Sequence, residues 1–171
     1  LLARAVEGDA EAFGDIYERH LDEIQRYIFY RVANRLEAED LTETVFLKAW
    51  EALPRFESAK VNLRAWLYRI AHNAVVDHYR LRKPAPDLPA QRLLDTRPAP
   101  EHQVEAGNES RRLATAIQSL DDNLQQVVVC RFVNDLSHAQ TAEIMGIREG
   151  YVRVLQHRAL RKLRQWLENE S

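Results

Sequence analysis

A chain of 171 residues, 46% of them hydrophobic, suffices for one ordinary domain or two small ones and is too apolar to be disordered throughout. Its 24 Lys and Arg against 26 Asp and Glu leave a net charge of −2, which excludes a uniformly cationic molecule and makes any nucleic-acid surface a local one. No apolar run approaches the ~20 residues of a bilayer span and nothing resembles a signal peptide, so a cytoplasmic protein without membrane insertion is expected.

The N-terminal part reads as three helices. After an Asp9 cap, Phe13, Ile16, Tyr17, Leu21, Ile24, Tyr27, Ile28 and Val32 recur at helical spacing. A second helix runs near 38 to 53, with Leu41, Val45, Phe46, Ala49 and Leu53 on one stripe, and Pro54 ends it. The third begins near Asn62, carries Leu63, Trp66, Leu67, Ile70, Ala71, Ala74 and Val75 inward, and stops at the Lys83-Pro84 step.

From 84 to about 108, Pro84, Pro86, Pro89, Pro98 and Pro100 interrupt a polar stretch with no sustained apolar period. This is expected to be a linker and a domain boundary. Helical patterning resumes with Leu113, Ile117 and Leu120. Leu124, Val127, Val128 and Phe132 form a further stripe after an Asp121-Asp122 cap. Cys130 closes the apolar run Val127-Val128-Val129-Cys130, where a buried, inert thiol is expected, and as the one cysteine it can form no internal disulfide. Ser137 caps a short helix, and a last helix runs from about 149 toward Glu168. The fold class expected is all-α: an N-terminal helical domain over 1–83, a Pro-rich linker over 84–108, and a C-terminal domain over 109–171. The linker is expected to hold the cationic surfaces of the two domains apart.

The strongest local pattern covers 139 to 155, which spaces small and apolar residues as a helix-turn-helix requires. Ala142 is small where the helices cross, Met145 and Ile147 flank the turn, Gly146 can take positive φ, and Val152 and Leu155 point the second helix inward. Outward it leaves Arg148, Tyr151, Arg153, Val154, His157, Arg158 and Arg161. Arginines suit phosphates and guanine edges there, and Tyr151 and Val154 suit thymine methyls. The competing reading is an ordinary helical hairpin with a solvated basic face.

Charge sorting adds two more surfaces. Between 60 and 83, Lys60, Arg64, Arg69, Arg80, Arg82 and Lys83 face only Asp77, and the stretch also holds Asn62, His72, Asn73, Trp66 and Tyr68. Cations for the backbone, amides for base edges and aromatic faces for stacking suit single-stranded DNA. Trp66 by itself keeps step with Leu63, Leu67 and Ile70 and favours a core role. On the preceding helix an acidic edge of Glu37, Glu39, Asp40 and Glu43 adjoins a ridge through Leu41, Phe46 and Trp50, a possible dock for a basic protein helix; acidic first turns also favour any helix. No catalytic arrangement stands out: the six histidines lack zinc-site spacing and no Gly-rich phosphate loop occurs, so no enzyme, metal or cofactor is expected.

Three segments in order, Ala38-Glu39-Asp40-Leu41 with Phe46-Leu47-Lys48-Ala49-Trp50, then Arg64-Ala65-Trp66-Leu67-Tyr68-Arg69-Ile70-Ala71-His72-Asn73, then the helix-turn-helix, resemble the extracytoplasmic-function sigma factors over nearly the whole chain. The resemblance implies a bacterial transcription-initiation subunit whose first domain binds core RNA polymerase and the minus-ten promoter element and whose second reads the minus-thirty-five element. It implies that the helix at 38 to 53 docks on the clamp coiled coil of the largest polymerase subunit through Asp40, Leu41, Glu43 and Phe46, with Trp50 beside them. It further implies that Phe56 to Arg80 melts the minus-ten region and holds a flipped base, engaging Phe56, Lys60, Asn62, Arg64, Trp66, Arg69, Asn73 and Arg80. The linker would thread through polymerase toward its active-site and RNA-exit channels, and an anti-sigma protein would sequester the factor. The chain departs from the family pattern at Glu43-Thr44, where Gln-Glu is usual. It departs again at Tyr151-Val152-Arg153-Val154-Leu155-Gln156-His157-Arg158, where Thr-Val-Lys-Ser-Arg-Leu-His-Arg is common, so promoter sequence does not carry over. That exchange leaves open which of Leu155 and Gln156 is buried, the helix-turn-helix pattern favouring Leu155.

Overall fold

The Asp9 carboxylate accepts hydrogen bonds from the amides of Glu11 (3.0 Å) and Ala12 (3.2 Å), and from this cap α2 (Ala10–Val32) runs unbroken behind a short α1 (Leu2–Val6). The structure, a computed structural model, describes residues 1–82 and 104–170. Along α2 the residues Ala12, Ile16, Ile24, Tyr27, Ile28 and Val32 are buried, as their spacing predicts. Asn34 then accepts from the Glu37 amide at 3.0 Å and starts α3 (Arg35–Ala52) three residues before the apolar stripe becomes visible in the sequence. Pro54 ends it in a 3-10 turn, Leu53–Arg55. The Asn62 side chain takes the Ala65 amide at 3.0 Å and opens α4 (Leu63–Arg82), whose Leu67, Tyr68, Ala71, Ala74 and Val75 are buried.

The second half begins with α5 (Val104–Gln118), so residues 104–108 of the expected linker are helical. The rest of the linker, from residue 84 to 103, lies outside the described residues. Helix α6 (Asp122–Val128) has Asp121 at its N-cap position without a side-chain cap bond; the Asp121 carboxylate instead lies 3.7 Å from the Lys162 ammonium. α6 passes into a π-helical segment, Val129–Val133, where the Asn134 amide reaches back to the Val129 carbonyl at 2.8 Å. The extra residue in that turn rotates Phe132 off the apolar stripe to 49% exposure, with the Arg131 guanidinium 5.7 Å from its ring centre. Cys130 remains fully buried, and burial pushes its thiol up to about 12 despite the opposing field of Arg31. It is expected to resist iodoacetamide at pH 8 and to be alkylated only after denaturation, with intact-mass spectrometry as the readout.

Ser137 and Gln140 form a reciprocal capping box at the start of α7 (His138–Met145), and Gly146 closes it at φ +68°, the left-handed conformation a non-glycine residue adopts only with strain. The Ile147 amide donates to the Ala142 carbonyl at 3.1 Å, and α8 (Glu149–Glu170) follows. The described residues contain no strand. α2 packs against α3, α4 and α5, while α6 and α7 pack against α8.

The two halves do not stand apart in this structure. α2 rests on α5 and the π segment, α4 rests on α7, and one continuous apolar cluster includes Ile24, Tyr27, Val45 and Leu67 of the first half with Ile117, Val127, Leu136 and Val152 of the second. The expected separation of two cationic surfaces by a tether is corrected to that extent. Through this shared cluster each half covers apolar side chains of the other.

Candidate nucleic-acid interface

Val152, Leu155 and Ala159 turn one side of α8 into the core, which dictates what the other side presents. Arg148, Tyr151, Arg153, Val154, His157, Arg158 and Arg161 are all exposed, with 151, 154, 158 and 161 along a single line of the helix. Leu155 is buried, while Gln156 is half-buried and its Oε1 lies 3.1 Å from both Arg131 Nε and His138 Nε2. The alternative left open by the sequence is thereby resolved: the leucine packs inward and the glutamine ties the helix to α7 and the π segment at its flank. The Glu149 carboxylate stands 3.8 Å from Arg153, an exposed i,i+4 pair that leaves the arginine free to reorient.

The second basic surface is built on α4 and the loop before it. Lys60, Asn62, Asn73 and Arg80 are exposed; Phe56 and Trp66 are half-buried against each other, ring centres 4.8 Å apart. Trp66 thus packs against the core and still keeps part of its surface outward, so neither of its two sequence readings is complete. Lys60 pairs with Glu57 at 2.9 Å and Arg80 stands 3.9 Å from Asp77.

Arg64 and Arg69 are held by hydrogen bonds to other elements. Arg64 donates twice to Glu23 Oε2, at 3.0 and 2.8 Å, and the Tyr68 hydroxyl donates to the same oxygen at 2.8 Å. His20 Nδ1 lies 2.7 Å from the other oxygen. Burial alone raises the affinity of Glu23 for a proton, but the bonds from His20, Arg64 and Tyr68 outweigh it and hold the carboxylate down at about 2 against an ordinary 4.5. Because the folded group binds its proton less readily than the unfolded one, its stabilisation is complete above about pH 4.5 and is lost as pH falls toward 2. Thermal melts of the wild type and Glu23→Gln are therefore expected to differ at pH 6 and to converge only as pH falls to about 2. Arg69 reaches the second half, donating to the carbonyls of Glu143 (2.6 Å) and Ile144 (3.4 Å) at the end of α7.

The acidic face of α3 differs from its sequence reading. Phe46 is 3% exposed and meets the Tyr17 ring edge-on at 4.9 Å, so it takes its place on the inward stripe and not on the outward ridge. Leu41 and Trp50 are half-buried, Trp50 against Phe13. Two leucines that the sequence reading passed over lie outward, Leu36 at 42% and Leu47 at 58% exposure, in line with the exposed Asp40 and Glu43 at spacings of four, three and four. The signal was present: apolar residues on two faces of one helix cannot all be core.

Among the described residues no group of three or more His, Cys, Asp or Glu side chains is placed to hold a metal, and no helix is long and apolar enough to cross a membrane. An all-helical chain with an outward, cationic recognition helix on a capped helix-turn-helix defines a DNA-binding protein of transcription. The Sigma-70 region 2 family model matches residues 16–84 and the Sigma-70 region 4 model matches residues 116–165. The ECF RNA polymerase sigma factor BldN of Streptomyces coelicolor is 36% identical across the full chain, which spans 66% of that protein. The RNA polymerase sigma factor CnrH of Cupriavidus metallidurans is 30% identical across the full chain and 94% of its own length. The solved structure of CnrH in complex with the cytosolic domain of CnrY superposes with a TM-score of 0.78 at 26% identity, covering 99% of this chain and 96% of that one. The chain belongs to the extracytoplasmic-function sigma factors, the subunits that bring RNA polymerase to promoters and initiate transcription there.

Proposed function

We propose that three surfaces divide the work. The outward line Leu36, Asp40, Glu43 and Leu47 on α3, flanked by Leu41 and Trp50, docks core polymerase. Two leucines set among carboxylates suit a partner helix that is apolar along its centre and basic at its rim. Phe46 supports that face from the core. The stretch from Phe56 to Arg80 receives the melted minus-ten strand, with Phe56 and Trp66 as stacking surface, Asn62 and Asn73 as amides for base edges, and Lys60, Arg64, Arg69 and Arg80 as cations along the backbone. Helix α8 reads the duplex minus-thirty-five element.

The observation that carries this reading is the outward recognition face of α8, all seven of whose expected contact residues are exposed. The protein acts in the cytoplasm and is not itself an enzyme; polymerase supplies the chemistry. CnrH, solved with the cytosolic domain of CnrY, supports a protein antagonist of the anti-sigma kind for this chain too. Residues 1–83 form the polymerase and minus-ten unit, 84–108 the linker and 109–171 the minus-thirty-five unit, with α5 (Val104–Gln118) reaching back into the linker range.

The test is run-off transcription with purified chain, core polymerase and a genomic fragment library. Initiation at specific promoters is expected only when both proteins are present. A stand-alone duplex regulator instead binds promoter DNA tightly without polymerase, and failure to bind core polymerase overturns the assignment.

A further inference from the structure

Helix α8 carries its outward cations past the turns that read bases. Tyr151, Leu155, Arg158, Lys162 and Gln165 follow one another at spacings of four, three, four and three, so they share one side of the helix. Between that side and the start of α6 lies a cleft of about 370 Å³, which Arg158, Arg161 and Lys162 all line. Tyr151 lines it too, so the cleft is continuous with the recognition face. Among the described residues neither Arg158 nor Arg161 has an ion-pair partner. Three cations thus meet in one recess, and its single carboxylate is that of Asp121.

Asp121 forgoes its local role to stand there. Its backbone has the extended conformation of an N-cap, φ −63° and ψ 156°, yet its side chain makes no cap bond. Asp9, Asn34, Asn62 and Ser137, at the starts of α2, α3, α4 and α7, all make one. The carboxylate lies instead 3.7 Å from the Lys162 ammonium, with 83% of the Asp121 side chain and 52% of the Lys162 side chain exposed. An exposed ion pair of that kind is worth less than a cap, so Lys162 alone does not draw the carboxylate away; the combined field of the three cations does. What this recess selects is an anion. Duplex DNA offers one at every nucleotide, and phosphates are what the long cations of a docked helix meet at the rim of a groove.

We propose that the cleft seats a backbone phosphate of the minus-thirty-five duplex, held by Lys162 and Arg161, and that the Asp121 carboxylate is the resident anion this phosphate displaces. The inference rests on the reading of α8 as the duplex reader, and adds Lys162 and Asp121 to that surface. Displacement requires only rotation of the Asp121 side chain, because its backbone already stands in the cap conformation and the amides at the start of α6 lack a side-chain acceptor. Seating the phosphate and capping α6 are thereby linked. Since a phosphate carries no sequence information, the contact fixes the docking of α8 and strengthens binding to all sequences alike.

Holoenzyme assembled from the full chain and core polymerase is titrated with two fluorescent duplexes across a salt series. One carries the minus-thirty-five element of a promoter recovered by run-off and stops short of the minus-ten element; the other has a scrambled sequence. Lys162→Ala is expected to weaken both several-fold and to make the salt slope shallower by about 0.9, the loss of one phosphate contact. Asp121→Asn keeps a side chain suited to the cap and removes the competing charge, so it is expected to bind both several-fold more tightly. In the Lys162→Ala background the same change is expected to gain much less, because the ammonium it would release is gone. Both positions are exposed, and helical circular dichroism is expected to stay at the wild-type level in all three variants.

Unaltered affinity and salt slope in Lys162→Ala overturn the proposal, as does an Asp121→Asn variant that binds no more tightly than the wild type. So does an equal gain from Asp121→Asn with and without Lys162, which assigns the effect to net charge alone. Arg153→Ala and Arg158→Ala control the underlying reading. If they too leave both duplexes unchanged, α8 does not read DNA and the phosphate seat falls with it; if they weaken binding while Lys162→Ala does not, the seat alone is lost.

Discussion

Arg153→Ala or Arg158→Ala is expected to weaken binding of the duplex minus-thirty-five element by about 1–3 kcal/mol if the side chain forks onto a base edge, roughly five- to 150-fold in affinity. Both side chains leave the outward side of α8, while Val152, Leu155 and Ala159 fix the inward side, so alanine at either position removes a long cation without opening a cavity. Neither position anchors the fold: Arg153 has only the exposed pair with Glu149 to lose, worth a few tenths of a kcal/mol. Stability is therefore expected to hold while affinity falls. An arginine that reads a base loses discrimination at one promoter position. One that touches only phosphate weakens all sequences alike and lowers the salt slope of binding by about one. Titrations of the holoenzyme on wild-type and single-substituted promoters at two salt concentrations separate these outcomes. Unchanged promoter affinity in both variants removes this face from DNA reading.

How much of this was legible beforehand depends on the range of the interaction that decides each feature. The capping residues Asp9 and Ser137, the turn at Gly146 and the inward Val152 and Leu155 are local: each is set by residues within a few positions, and each reappears in the structure. The recognition face follows, because the outward side of a helix is whatever the inward side leaves. Phe132 leaves the stripe its spacing predicts because a π turn shifts helical phase by one residue, and nothing in the periodic pattern marks where such a turn falls. Phe46 belongs by spacing both to the inward stripe and to the outward ridge, and the structure decides for the stripe, leaving Leu47 outward. α3 has apolar residues on both faces, and only its packing against α2, with Tyr17 over Phe46, decides which face is core. The contact between the two halves was least legible of all. Arg31 pairs with Asp122 and Asn134 with Tyr68 across it, yet in sequence Asp122 reads only as a helix cap and Arg31 and Asn134 carry no signal. Their pairing is long-range information that residue spacing does not carry.

Asn73→Ala is expected to reduce formation of the open complex on duplex promoter by up to about tenfold, with a much smaller loss on a template whose minus-ten region is already unpaired. Asn73 is exposed on α4, eleven residues after Asn62 and four after Arg69, hence on the side where the cations and the half-exposed Trp66 lie. An amide there can both donate to and accept from the edge of an extruded base, a contact unavailable while the base is paired. Opening duplex DNA costs a few kcal/mol per unstacked base, so the melted state is nearly balanced against the closed one. Removing a hydrogen bond worth about 0.5–1.5 kcal/mol then moves the equilibrium by up to about tenfold. On a preformed bubble the unstacking cost has already been met, the complex is driven well to one side, and the same loss leaves occupancy nearly unchanged. Alanine is a good helix former at this exposed site, so the fold of α4 is kept and the effect reads on DNA alone. Permanganate footprinting on the two templates supplies the comparison. An equal loss on both places Asn73 in general DNA affinity and not in strand opening, and no loss on either removes it from the minus-ten surface.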